Sequence, residues 1–270
     1  MKQSISLTAH SDGTPRPAGE LPAGTFTPRP QRASVAKMAL AQGKLEAKLM
    51  LRHGEQLLVN IVIPAALLIA AYVVPVFGDT DFNQLVPMVF AVAATSAGFT
   101  GQAIALAFDR RYGALKRTGA SGVPPWTIIA GKIIGVLATV AVQIVVLGVL
   151  AIALGWTVSV AGAIFGLLTL VVGVAAFSAM GLLMGGTLSS ELVLALANLF
   201  WLVLMGIVGW VQYSGDISAA GWWNVVPTVA LAGALTQALE LSFHWVAWLS
   251  LTTWTIVAIV AATRWFRFDG

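Results

Sequence analysis

Residues 108–126, FDRRYGALKRTGASGVPPW, form a charged and turn-rich break in a chain that is otherwise apolar for about two hundred residues. One carboxylate and four basic side chains, followed by Gly, Ser and Pro, favour ion pairing and docking rather than covalent catalysis. We expect the segment to receive force from a partner protein and to pass it to membrane helices. Its candidate contact residues are Asp109, Arg110, Arg111, Gly113, Leu115, Lys116 and Arg117.

Residues able to perform catalysis are scarce elsewhere in the chain. Cysteine is absent, and the three histidines (His10, His53, His244) are far apart and form no HExxH metal motif. No G-x-S-x-G motif is present. Gly131-Lys132 is followed by Ile133, so the phosphate-binding G-x-x-x-x-G-K-[ST] pattern is not met. We therefore expect no catalytic, metal or cofactor site in this chain, and energy for any work must come from a partner.

The composition assigns the chain to the membrane. It is 58% hydrophobic and only 10% charged, whereas a soluble domain carries roughly 25% charged residues. The net charge of +4 raises the question of a nucleic-acid partner. In a membrane protein, however, basic residues first report orientation, so we expect no nucleic acid. The prediction is an all-α polytopic membrane protein.

Six stretches are long and apolar enough to cross roughly 30 Å of hydrocarbon as helices. They are residues 57–76, 85–107, 127–155, 160–188, 192–213 and 245–263. Together they define a predicted six-span transmembrane domain over residues 55–270.

The basic residues predict the orientation. All 15 lie in the N-terminal region, in the loop after span two with the start of span three, or at the C-terminus. With six spans, these three regions share one side, and only Asp79, Asp81, Asp216 and Glu240 lie on the other. The positive-inside rule then places both termini in the cytoplasm of a multi-pass cell-membrane protein.

The region before span one divides into two parts. Residues 1–33 are rich in Pro, Gly, Ser and Thr, which predicts a disordered cytoplasmic tail. Residues 34–54 have helical periodicity, which predicts an amphipathic helix on the membrane surface, although a helix packed on a partner protein is the alternative. Its basic arc, directed at lipid headgroups, consists of Lys37, Lys44, Lys48 and Arg52.

Residues 214–243, on the predicted outer side, are too interrupted for a span and too apolar for a solvated loop. Short helices that dip into the outer leaflet and return fit this pattern, because non-helical backbone at membrane depth must be buried in protein. An amphipathic helix lying on the surface is the alternative.

Inside the spans, ionisable residues are missing from the middle, which argues against an ion-driven transporter. The mildly polar Thr95, Gln143 and Asn198 are candidates for lining a substrate path. Such groups also serve as hydrogen bonds between helices, and this alternative stays open for each. In span four, Gly162-x-x-x-Gly166 and Gly181-x-x-x-Gly185 permit close helix contacts.

The charged segment resembles the cytoplasmic loop of ABC-2 type transporter permeases, including drug and antibiotic exporters of the daunorubicin-permease type. In that family an acidic–basic pair precedes a Gly-x-Leu-Lys-Arg run, a Pro-containing turn and an apolar Gly-Lys. Here the corresponding residues are Asp109-Arg110-Arg111, Gly113-Ala114-Leu115-Lys116-Arg117, Val123-Pro124-Pro125-Trp126 and Ala130-Gly131-Lys132. Many members have Glu-Arg-Glu where this chain has Asp-Arg-Arg, so the partner groove is expected to be acidic.

The resemblance implies a connecting helix, six spans, a coupling helix between spans two and three, and re-entrant helices before span six. It implies two copies of a separate ATPase subunit, which hold ATP and Mg, and a second permease subunit, identical or related. ATP-driven closure of the ATPases would move the coupling helix and export a drug-like or lipid-like molecule. The alternatives are a non-transporting anchor or assembly subunit, an exporter of polysaccharide or lipid precursors, and a channel.

Overall fold

The computed structural model describes residues 33–52, 54–74, 81–120 and 123–265, and every regular element within these ranges is a helix. The all-helical prediction is therefore confirmed. The helices are α1 (Val35–Arg52), α2 (Gly54–Val73), α3 (Phe82–Thr95), α4 (Gln102–Arg111), α5 (Ala114–Ala120), α6 (Pro125–Ala153), α7 (Val160–Thr187), α8 (Ser190–Ser214), α9 (Pro227–Leu239) and α10 (Trp245–Trp265). A π-helical turn, Ser96–Gly101, joins α3 to α4, and two 3₁₀ turns, Ile217–Ala219 and Gly221–Val225, precede α9.

Among the described residues, five helical segments are long and apolar enough to cross a membrane. They are Phe82–Arg111, Trp126–Ala153, Val160–Thr187, Ser190–Ser214 and Trp245–Ala262. The predicted first span corresponds to α2, whose apolar part, Asn60–Val73, is about 20 Å long and therefore shorter than the hydrocarbon layer. Residues 75–80, which include the end of that predicted span, lie outside the described residues. A membrane crossing by this first predicted span, and with it the total of six spans, therefore stays a prediction.

The segment 214–243 forms part of the core of the bundle. Helix α9 is buried along almost its whole length and packs against α3, α7 and α10. Its Pro227 occupies the first helical position, where a missing N–H costs nothing. Trp254 of α10 donates its indole N–H to the carbonyl of Val225 at 2.8 Å, which fixes the entry to α9. The segment does contain short helices, and its entry from the outer leaflet stays a prediction.

Three of the four glycines in the predicted α7 pairs lie against the backbone of neighbouring helical segments. A Cβ on Gly162 would lie 2.2 Å from the carbonyl oxygen of Leu239, at the end of α9. A Cβ on Gly181 would lie 2.5 Å from the carbonyl oxygen of Phe99, and one on Gly185 would lie 2.4 Å from that of Ala103. Because these neighbours are backbone atoms, only glycine allows α7 to approach so closely.

Helix α1 follows the first half of α6 in the same direction. Gly43 faces Ile134, Glu46 faces Gly135, and Thr139 donates a hydrogen bond to the sulfur of Met50 at 3.6 Å. The side of α1 that carries Gly43, Glu46 and Met50 therefore faces α6. The four basic residues of the predicted membrane-facing arc are exposed, and so are Leu45 and Leu49. Attachment of α1 to a lipid surface stays a prediction, and the predicted tail, residues 1–33, lies almost entirely outside the described residues.

Candidate coupling site

The charged segment begins where α4 ends and the chain turns sharply into α5. Tyr112 and Gly113 close α4 with hydrogen bonds back to Phe108 and Arg110, and Gly113 has a φ of 68°. This left-handed conformation favours glycine, which explains the residue type at this position. Helix α5 is then anchored by Leu115, which is 4% exposed and belongs to an apolar cluster with residues of α4, α6 and α7.

Asp109 belongs to an ionic cluster that joins three helices around a buried lysine. The ammonium group of Lys132, on α6, lies 2.6 Å from the carboxylate of Asp109 on α4 and 3.2 Å from that of Glu46 on α1. Lys132 is only 4% exposed. A buried ammonium group requires such partners, because its desolvation is costly. We call Glu46, Asp109 and Lys132 the ionic cluster.

Arg110 ties α4 to the end of α7. One guanidinium nitrogen, Nη1, donates to the carbonyls of Gly185 and Leu188, both at 2.9 Å. The last carbonyls of a helix have no partner within the helix and carry its negative dipole end. A cation at this position therefore satisfies and stabilises the terminus of α7.

Arg111 makes the equivalent connection to α8. Its Nη1 donates to the hydroxyl of Ser190 at 3.1 Å and to the carboxylate of Glu191 at 2.5 Å. Both partners lie in the first turn of α8. About half of the Arg111 side chain and two thirds of that of Glu191 are exposed. Exposed ion pairs contribute little to stability, so this contact positions α8 more than it stabilises the fold.

The seven predicted contact residues therefore fall into two groups. Asp109, Arg110, Arg111 and Leu115 bind other parts of this chain, and Gly113 shapes the turn. Lys116 and Arg117 are exposed on α5, and the neighbouring Tyr112 is 66% exposed. Tyr112, Lys116 and Arg117 form an exposed surface, which we call the outer face of α5.

Replacing Arg110 with methionine is expected to destabilise the protein by about 1–3 kcal/mol, because it leaves the α7 carbonyls without their donor. Replacing it with lysine is expected to recover only part of this loss, since an ammonium group lacks the planar fork of guanidinium. Thermal unfolding of the purified protein measures both changes. Arg52→Met removes an exposed arginine and should lie within about 0.5 kcal/mol of the wild type. Equal effects of Arg110→Met and Arg52→Met would contradict the assigned contact.

The three predicted path residues do not meet at one site. Thr95 is buried and donates to the carbonyl of Ala91, one turn earlier in α3. Gln143 is buried and donates its amide to the carbonyl of Asn60, which links α6 to α2. Asn198 is exposed on α8 and donates to the carbonyl of Leu194. Of these three bonds, only that of Gln143 joins two helices. A substrate path through the three positions stays a prediction.

Sequence reasoning assigned no contact to three of the residues that organise the site, namely Glu46, Lys132 and Glu191. Lys132 belongs to the family pattern, and Glu46 gave a signal as an acid within the apolar arc of α1. A carboxylate at such a position requires a buried cation. Lys132, within the apolar start of α6, is the matching partner.

Comparison with known families agrees with this architecture. A family model described as ABC-2 type transporter matches residues 41–227, which covers α1 to α8 almost completely and extends to the start of α9. None of the curated proteins and none of the solved structures compared with the chain gave a match. The chain therefore belongs to the ABC-2 type transporter family, as a multi-pass transmembrane permease component of an ABC transporter.

Proposed function

We propose that this permease exports a drug-like or lipid-like amphipathic molecule, powered by separate ATPase subunits that dock on the outer face of α5. One observation carries the proposal. Three consecutive residues each bind a different helix. Asp109 binds α6, where Lys132 also binds α1; Arg110 binds α7, and Arg111 binds α8. A displacement of α5 and the end of α4 is therefore transmitted to several candidate spans at once.

The proposed assembly contains two ATPase copies beneath a pair of permease subunits, identical or related. ATP and Mg would bind to the ATPases. Asn198 supports a paired arrangement, because an exposed amide on a membrane helix gains from a polar partner on a facing helix. Both termini and α5 are placed in the cytoplasm, since the exposed basic residues of α1 and α5 satisfy the positive-inside rule.

Charge reversal on the outer face of α5 tests ATPase docking. Lys116→Glu combined with Arg117→Glu is expected to lower co-purification of the ATPase and the transport per ATP hydrolysed, because an acidic groove would repel the altered face. The permease and ATPase are co-expressed, purified in detergent and reconstituted for ATP turnover and transport assays.

Lys44→Glu combined with Lys48→Glu makes the same change in charge on exposed positions of α1 and serves as the control. Docking on α5 predicts much weaker ATPase binding for the α5 double variant than for the α1 double variant. Equal binding and transport by the two would refute docking there. Normal ATPase binding by the wild type without any transport would instead favour the membrane-anchor alternative.

A further inference from the structure

A cavity of about 640 Å³ lies at the end of the bundle that carries α5. It is lined by α4, α5, α6, α7 and α10, and apart from Lys132 and Thr255 its lining residues are apolar. Leu115 of α5, Ala179 of α7 and Ile259 of α10 mark three of its walls. The cavity therefore adjoins both the ionic cluster and the anchor of α5.

The cavity opens to the outside of the bundle between α6 and α10. Trp126 and Ile259, which line it from these two helices, are 52% and 51% exposed. Both helices are candidate spans, so the medium outside this opening is lipid. An apolar space of this kind is a poor site for water, whereas a hydrocarbon chain gains dispersion contacts in it.

Basic residues of α5 next to the cavity favour an anionic headgroup. Lys116 and Arg117 directly follow the lining residue Leu115. Both basic side chains are exposed. The nearby carboxylates of the ionic cluster, Glu46 and Asp109, are both bound to Lys132.

The beginning of α6 adds to this preference. Its N-cap position is Pro124, which has no side-chain group to accept from the first N–H groups of the helix. The dipole of such a terminus favours a nearby anion. Trp126 lines the cavity in the same turn and is half exposed, which is typical of a residue at the boundary between headgroups and hydrocarbon.

We infer that this cavity holds one acyl chain of an anionic phospholipid from the adjoining leaflet. Its phosphate lies near α5 and the N-terminus of α6. The inference requires that α6 and α10 span a bilayer, but not that the protein transports anything. Since Leu115 lines the cavity, the bound chain supports α5 from the membrane side.

Photolabelling of the full chain tests the site. The purified permease is placed in lipid nanodiscs containing phosphatidylglycerol with a diazirine on one acyl chain. Labelled peptides are identified by mass spectrometry, without ATP or ATPase. Labels are expected on the cavity-lining parts of α6, α7 and α10. Phosphatidylcholine carrying the same chain is expected to label these parts less.

Filling the cavity should exclude the chain. Ala175→Leu, on the α7 wall, is expected to lower labelling by about tenfold or more, the effect of losing at least two methylene groups from an apolar site. Ala163→Leu makes the same change at an exposed position of α7 and should leave labelling unchanged. Ala262→Leu, on the α10 wall, repeats the test if Ala175→Leu does not fold.

Removing one basic group tests the headgroup. Arg117→Gln is expected to reduce the preference for phosphatidylglycerol, whereas Arg117→Lys, which keeps the charge at the same position, is not. Unlabelled cavity walls in the wild type, or equal labelling of Ala175→Leu and Ala163→Leu, would overturn the acyl-chain site. Equal labelling by both lipids would overturn the anionic headgroup. None of these results bears on ATPase docking, and failure of docking leaves the labelling intact.

Discussion

Replacing Lys132 with methionine should destabilise the protein by about 1.5–3 kcal/mol, the range for hydrogen bonds to charged groups, because Lys132 is buried but more than a third of the Asp109 side chain is exposed. The substitution leaves the carboxylates of Glu46 and Asp109 close together without their shared cation. It also releases α1 and α4 from α6, so ATP-driven transport should fall together with stability. The free energy is measured by unfolding of the purified permease, and transport is measured in proteoliposomes with the ATPase.

Two further variants make this prediction specific. Lys48→Met removes an exposed lysine of α1 and should change stability by less than about 0.5 kcal/mol. Lys132→Met combined with Glu46→Gln and Asp109→Asn removes the unpaired charges and should recover much of the lost stability. If Lys132→Met were as stable as Lys48→Met, the ionic cluster would not be a structural element of the protein.

Substituting Gly181 with alanine is expected to cost about 1–3 kcal/mol, and substitution with leucine should cost more. The added Cβ would lie 2.5 Å from the carbonyl oxygen of Phe99 and 3.0 Å from that of Gly98. Both oxygens belong to the π-helical turn, so the clash can be relieved only by moving α7 away from it. Thermal unfolding of the purified permease measures the loss.

Gly148 and Gly206 provide matched controls within helices. A Cβ at either position would have no described atom within 4 Å, apart from its immediate surroundings in its own helix. Gly148→Ala on α6 and Gly206→Ala on α8 are therefore expected to stabilise the protein by up to about 1 kcal/mol through helix propensity. A stabilising Gly181→Ala, or a destabilising effect of similar size at all three positions, would refute the assigned close contact.

Much of the fold could be predicted from composition and periodicity. The long apolar runs predicted the five candidate spans closely, because apolar length is the dominant signal for membrane helices. The broken pattern of residues 214–243 indicated short helices, which the structure places in the core as α9. Pattern alone predicted that this segment needs burial in protein. It did not identify the helices that bury it.

The pairing of distant residues was beyond the sequence. Glu46 and Lys132 are 86 positions apart and meet because α1 runs alongside α6. For Asn198, apolar periodicity gave its depth in α8 but not the side it faces, because nearly all residues of that helix are apolar. The sequence could not show which residues Asp109–Arg111 contact, so their charges suggested a docking surface. Their partners at Gly185, Glu191 and Lys132 lie far along the chain.

The π-helical turn Ser96–Gly101 divides the candidate span Phe82–Arg111 into two helices, α3 and α4. A π turn holds more residues than an α-helical turn, and loss of one residue from it would rotate α4 by about 100° relative to α3. Such a rotation would carry Asp109, Arg110 and Arg111 away from all three of their partners together. The three contacts thus hold α4 in the rotation about its axis that the π-helical turn sets.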